Sequence, residues 1–194
     1  MRRLALVQVL LLTLTGCGNV YLATAPDPAL ERLTCPRPDV KVSSTLVLLA
    51  QAVPTASALP CVRSAPARWR LDDFDARNGR AHLSVTYGDE DDVNLVVDVV
   101  HRCRMDDATE STTDQPGMRR YDHLVHDANQ YAMDRYYVYP DACTAFHFTS
   151  LGEDGYEFVG DIVKAFGFVR REALDRHVRE STDGRLKLDP EPAP

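Results

Sequence analysis

From Arg80 to Tyr87 apolar and polar positions alternate, with Ala81, Leu83, Val85 and Tyr87 on one side and Arg80, His82, Ser84 and Thr86 on the other. A period of two predicts a strand with one buried and one wet face. Gly88 to Asp92 is a polar turn, and Val93 to Cys103 returns with Val93, Leu95, Val97 and Val99 on one side. The two segments therefore read as an antiparallel hairpin. Residues 104–118 form a polar loop ending in the turn signal Gln115-Pro116-Gly117. Arg135–Tyr139 and Cys143–Ser150, split by Pro140-Asp141-Ala142, read as a second hairpin rich in aromatic residues.

After Gly152 the period changes to 3.6. Phe158, Val159, Ile162, Val163 and Phe166 fall on one helical face, and Gly167 is placed to end that helix. Arg171–Glu180 is a second, more polar helix with Leu174 and Val178 as its apolar stripe. Upstream, Ser44 is placed to cap a short helix through Leu46, Leu49, Ala50 and Val53 that Pro54 ends, although Thr45–Leu49 would also suit a buried strand. The lone Trp69 reads as a core anchor. Strands followed by helices predict an α+β fold: an antiparallel sheet of about four to six strands covered by one or two C-terminal helices. Residues 35–188 are expected to form this single domain, with 189–194 a frayed tail.

The N-terminus changes the picture from fold to address. Arg2 and Arg3 precede an apolar run from Leu4 to Leu14, about eleven residues against the roughly twenty that a spanning helix needs. That is the pattern of a secretory signal over residues 1–16. Leu14-Thr15-Gly16-Cys17 resembles a bacterial lipobox. The resemblance implies cleavage before Cys17, acyl chains on that residue and retention at the outer face of the membrane, with residues 17–34 as a tether. Removing residues 1–16 takes two arginines from 22 basic side chains and nothing from 29 acidic ones, so the formal charge moves from -7 to about -9. A broad nucleic-acid-binding face is not expected of such a chain. Arginine greatly outnumbers lysine and Ile162 is the only isoleucine, the usage of a GC-rich genome.

With Cys17 assigned to lipid, four of the five cysteines remain: Cys35, Cys61, Cys103 and Cys143. An exported chain with an even set and no CxxC reads as a disulfide framework. Three connectivities are open. Cys35–Cys61 and Cys103–Cys143 are favoured, because Cys103 closes one predicted strand and Cys143 opens another.

Several fragments also occur together as a set: Ala50-Gln51-Ala52-Val53-Pro54-Thr55-Ala56, Leu59-Pro60-Cys61-Val62, Trp69, Arg135-Tyr136-Tyr137, Pro140 with Cys143, and Phe166-Gly167-Phe168-Val169. Over roughly residues 45–170 this set resembles a group of uncharacterised actinobacterial envelope proteins. The chain departs from that group at Tyr87-Gly88-Asp89-Glu90-Asp91, where a Ser-Asp-Arg-type turn is expected, and at Arg170, where a proline is expected. The resemblance implies location and architecture and supplies no reaction.

Candidate chemistry is sparse. Asp122-His123-Leu124-Val125-His126-Asp127 is the most metal-like cluster. On a helix His123 and His126 would share a face, with Asp122 or Asp127 as oxygen ligand, and His101 or His147 would have to come from the sheet. On a strand they would point opposite ways. The acidic run Asp89–Asp92 could attract calcium but lacks EF-hand spacing, and reads as a solvated turn tip. Tyr136, Tyr137, Tyr139, Phe146 and Phe148 would make an aromatic platform for a glycan or lipid, with Arg119, Arg120 and Arg135 meeting an anionic group, or else simply pack across strands. There is no GxSxG and no serine, histidine and acid in a triad order.

The expectation is therefore a membrane-anchored envelope lipoprotein that acts without catalysis as a binding or interaction module, with Arg135, Tyr137 and Tyr139 as a possible ligand surface and no cofactor. Its partners would be the membrane, through Cys17, and an envelope protein or glycan. The alternative is a secreted metal-dependent hydrolase using His123 and His126 with Asp122 or Asp127; a weaker one is an inhibitor presenting the 104–118 loop.

Overall fold

The structure is a computed structural model that describes residues 26–38, 40–87, 90–126, 130–151 and 155–189. Cys17, the signal segment and residues 190–194 lie outside these.

Nine strands and four helices occur among the described residues. Short α1 (Pro28–Glu31) and α2 (Ser44–Ala52) precede β1 (Ala58–Val62). Then come β2 (Trp69–Arg77), β3 (Arg80–Tyr87), β4 (Glu90–Val100), β5 (Thr109–Ser111), β6 (Arg119–His126), β7 (Gln130–Tyr139) and β8 (Ala142–Leu151). The chain closes with α3 (Gly155–Ala165), β9 (Phe166–Arg170) and α4 (Arg171–Ser181). Seven strands form one antiparallel sheet in the order β2-β3-β4-β8-β7-β6-β5, while β1 and β9 pair with each other as a separate antiparallel ribbon.

The fold is the expected α+β class, with a larger sheet. The predicted hairpins are β3–β4 and β7–β8, the latter turning at Asp141 with φ 61°. Three further strands of this sheet escaped the pattern for local reasons. β2 carries a bulge between Leu71 and Asp73, which breaks its alternation. β5 is only 3 residues long and lies inside the expected 104–118 loop. β6 was a helix candidate, but Arg119–Val138 through His126–Tyr131 pair it with β7 along its whole length. The bulged β2 and the short β5 are the sheet's two edges, both poor templates for pairing with another chain.

One face of the sheet is apolar. Leu83, Val85, Leu95, Val97, Phe146 and Phe148 from its central strands are all buried there. The opposing layer is made by α1, α2, the β1–β9 ribbon and α3, which contribute Leu30, Leu49, Leu59, Val62 and Ile162 to the same core. Trp69 is 1% exposed and meets the Tyr87 ring edge-on at 5.3 Å, the anchoring role expected of it. In α2 the cap is Ser43, whose Oγ accepts from the Leu46 N–H at 3.2 Å, one residue before the expected Ser44. The apolar stripe expected to run through Phe166 as helix stops at Ala165: Phe166 and Gly167 belong to β9.

Both favoured disulfides are present. Cys35–Cys61 closes 26 residues and holds α1 to the ribbon, beside the paired Cys35 N–H to Val62 O and Val62 N–H to Leu33 O bonds, each 2.8 Å. Cys103–Cys143 closes 40 residues. It anchors a small satellite cluster on the other face of the sheet, where Met105 and Ala108 pack on Tyr136 and Ala145.

Residues 27–33, assigned from sequence to the tether, pack as part of the domain. Leu30 and Leu33 are 0% and 1% exposed. Asp27 caps α1 through the Ala29 N–H at 2.9 Å, and its second oxygen accepts from the Leu71 N–H at 2.7 Å beside the β2 bulge. Leu30→Ala is expected to cost about 2–5 kcal/mol, read as a lower urea midpoint with unchanged slope; a loss of a few tenths would mean that α1 is an appendage.

Candidate functional site

The strand parity of the sheet sorts the candidate residues into two sets. Successive side chains in a strand point to opposite faces. Arg135, Tyr137 and Tyr139 of β7 share the core face, and register sets Arg120 and Asp122 of β6 beside Tyr137 and Arg135. Tyr136 and Arg119 fall on the other face. Tyr136 is buried in the satellite cluster, and Arg119 makes a bidentate pair with Glu110 at 2.7 and 2.9 Å. Phe148 is fully buried in the main core. The aromatic platform expected from sequence is therefore split, and only Tyr137 and Phe146 remain together with Arg120 and Arg135.

Those four line a cavity of about 180 Å³ with Arg63, Asp114, Gln115, Val163, Lys164, Phe166 and Phe168. Its floor is aromatic. Tyr137 meets Phe146 and Phe168 edge-on at 5.8 and 5.0 Å, and Phe146 meets Phe166 at 5.5 Å. Its rim and one wall are cationic. Asp122 bridges the two strand arginines, with Arg135 Nε at 2.7 Å and Arg120 Nη2 at 2.9 Å from its two oxygens. All three are largely buried, at 18%, 22% and 21% side-chain exposure.

Burial disfavours the Arg135 cation, but the hydrogen bond and charge of Asp122 outweigh it and hold the guanidinium firmly protonated. Burial also pushes the Tyr137 hydroxyl above its ordinary pKa, opposed in part by the charge of Arg135 and its hydrogen bond. Tyr137 is therefore a neutral donor at physiological pH.

The remaining cations come from distant segments. Arg63 leaves the ribbon directly after β1, with its N–H on Ala165 O at 2.6 Å. Its side chain lies across β9 where Gly167 has none: a Cβ there would stand 2.5 Å from Arg63 Nε and 3.1 Å from its Cγ. Lys164 comes from the last turn of α3. Among the described residues neither Arg63 nor Lys164 has an ion-pair partner, and Arg120 Nε is buried with no hydrogen-bond acceptor. Four cations thus line the cavity with the carboxylate of Asp114, and Asp122 pairs with two of them, in an acidic protein. Guanidinium donors that lack acceptors suit a carboxylate or phosphate oxygen.

Nothing in the chain pattern linked Arg63 or Lys164 to Arg135, since the pairing of β1 with β9 brings them together. The one available signal was Phe166-Gly167-Phe168-Val169, whose alternation and small residue fit a strand under a crossing side chain.

The metal-like cluster comes apart. Its segment is β6, and in a strand a spacing of three does not put two residues on one face. Asp122 is engaged by the arginines of the core face. His123 lies on the opposite face, 3.6 Å from Asp134, whose other oxygen is 2.8 Å from His147 Nδ1. His147 thus does reach His123 across the sheet, through Asp134, while His101 Nδ1 is 2.9 Å from Asp141 O. Among the described residues no group of three or more His, Cys, Asp or Glu is placed to hold a metal ion. The side chain of His126, all of Asp127, and the side chains of the acidic run Asp89–Asp92 lie outside those described. The 104–118 segment, considered as an inhibitory loop, is tied down by Cys103–Cys143 and by β5 pairing with β6.

No family model matches the chain, and neither a curated protein nor a solved structure matches it.

Removing Asp122 would leave two mostly buried guanidinium groups without their carboxylate. Asp122→Ala is expected to lower stability by about 2–3 kcal/mol, measured by urea denaturation, with Asp122→Asn losing less because it keeps one acceptor.

Proposed function

We propose that the protein is a membrane-anchored envelope lipoprotein whose domain acts as a binding module for an anionic group, without catalysis. One observation carries the binding part: the aromatic-floored cavity that holds Arg63, Arg120, Arg135 and Lys164, with one arginine N–H buried and unmet. An anion there gains charge-assisted hydrogen bonds at little ordering cost, because Arg135 and Arg120 are already fixed by Asp122. The aromatic floor favours an anion attached to an apolar body over a bare ion. Support for the address is the lipobox-like Leu14–Cys17 and the two disulfides, which persist in oxidising compartments. Among the described residues no helix is long and apolar enough to cross a membrane, so a lipid on Cys17 would be the means of attachment. Confinement of this kind raises the effective concentration for an equally confined ligand or partner.

Phenyl phosphate titrated calorimetrically at low ionic strength is expected to bind one to one. R63Q/K164Q, which removes the two cavity cations that have no ion-pair partner among the described residues, should weaken it about tenfold or more, with an unchanged melting temperature. Binding that is equally strong in the double variant would overturn the assignment of the cavity.

In the native host, Cys17→Ala is expected to move the protein from the membrane to the soluble exported fraction. Retention of the variant in the membrane would defeat the lipid anchor.

A further inference from the structure

The basic cavity has a neighbour. A second cavity of about 380 Å³ is lined by Ala58, Pro116, Met118, Tyr139, Pro140 and Phe168 among others, and Arg170 is the only charged residue on its wall. The two cavities share Gln115 and Phe168. Phe168 is half-buried, with its ring 5.0 Å from Tyr137 on the one side and 6.3 Å from Tyr139 on the other, so it forms the ridge between them. The Tyr139 hydroxyl, buried near the second cavity, is turned to Thr144 Oγ1 at 2.9 Å. Burial raises its pKa far beyond the ordinary value despite that bond, so it stays neutral and offers no charge to a ligand. Four cations are thus gathered at one end of the pair, while the other end sets the apolar side chains of Met118, Pro116, Pro140 and Phe168 beside Ser57, Gln115 and a single cation, Arg170.

We propose that the two cavities form a single site for an anionic amphiphile, a molecule with one phosphate or carboxylate head and an alkyl chain. This rests on the anion-binding reading of the basic cavity and adds the class of ligand. The head would sit among Arg63, Arg120, Arg135 and Lys164, and the chain would cross Phe168 and lie against Met118, Pro116 and Pro140. Charge complementarity sets the polarity of the ligand. A neutral ligand would leave Arg120 Nε unmet. Gln115 is held at the boundary by its own N–H on Thr113 Oγ1 at 3.0 Å and by its amide on Asp114 at 3.0 Å. The Gln115–Met118 turn therefore forms a fixed outer wall to the chain.

The test is a series of alkyl phosphates from ethyl to decyl, each below its micelle concentration, titrated into the full domain with both disulfides intact. Affinity is expected to rise by up to about fourfold per methylene and then to level off when the second cavity is filled. Met118→Asp should abolish the rise and leave ethyl phosphate unaffected, whereas R63Q/K164Q should weaken every member of the series by the same factor. The series on the unmodified protein decides the matter even if Met118→Asp fails to fold. Ethyl phosphate binding with no dependence on chain length would overturn the amphiphile and leave the anion site standing. Alkyl alcohols binding as tightly as the phosphates would overturn it too, by removing the role of the head group. No binding at any length would overturn both.

Discussion

The pairing of residues 58–62 with residues 166–170 is the constraint on which the rest of the structure depends. A seven-stranded sheet with one apolar face needs a cover. The helices cover parts of it, α1 and α2 near β2 and β3 and α3 near β7 and β8. The β1–β9 ribbon completes the layer, every residue of β1 buried. Four bonds tie the ribbon and the residues flanking it to both halves of the chain. Cys61 is stapled to Cys35, the Arg171 N–H donates to Ser57 O at 2.9 Å, and the Arg171 guanidinium donates to Ala50 O and Asp189 O at 2.8 and 3.1 Å. Arg171 is only 8% exposed, so its charge is tolerable because carbonyls at the end of α2 and in the C-terminal segment accept it. One guanidinium thereby joins α2, the ribbon and the last described residues.

The cavity follows from the same arrangement. Where the ribbon packs on β7 and β8, Phe166 and Phe168 supply aromatic walls and Gly167 leaves the gap that Arg63 occupies. The sheet's core face would ordinarily exclude Arg120, Asp122 and Arg135 from its interior. They are accommodated because Asp122 satisfies both arginines in part, and because the ribbon stops short of sealing them. On the opposite face the satellite cluster under Cys103–Cys143 secures the start of the segment that ends at the Gln115 turn, so a disulfide far from the cavity helps to hold its wall. In a chain of formal charge -7 this concentration of cations at one point is the feature on which the proposed anion site rests.

Much of this was legible in the residues, and the exceptions have physical causes. Alternation in 80–87 and the return through Val93, Leu95, Val97 and Val99 gave the central hairpin, because one face of those strands is buried and the other wet. The same rule hid β1, whose Ala58-Leu59-Pro60-Cys61-Val62 is buried throughout and carries a proline. Phe166 matched the helical stripe of α3 as well as it matches a strand, and only its partner Val62, far away in sequence, decides between them. That Arg135, Tyr137 and Tyr139 share a face was legible because they stand two apart on one strand, while Tyr136 between them faces the other way. That Arg63 and Lys164 join them was not, since local pattern carries no record of pairing across a hundred residues. The His123 cluster misled for a related reason: its spacing has meaning only on a helix, and β6 is a strand.

The most direct test of an occupied anion site is the native mass of the protein purified from its own host under non-denaturing conditions, compared with the denatured, non-reduced mass of the same sample. Occupancy predicts a native mass higher by one small acidic molecule, lost on denaturation, over a polypeptide that carries two disulfides and acyl chains on Cys17. Identical native and denatured masses, in protein that also fails to take up an added alkyl phosphate, would contradict it.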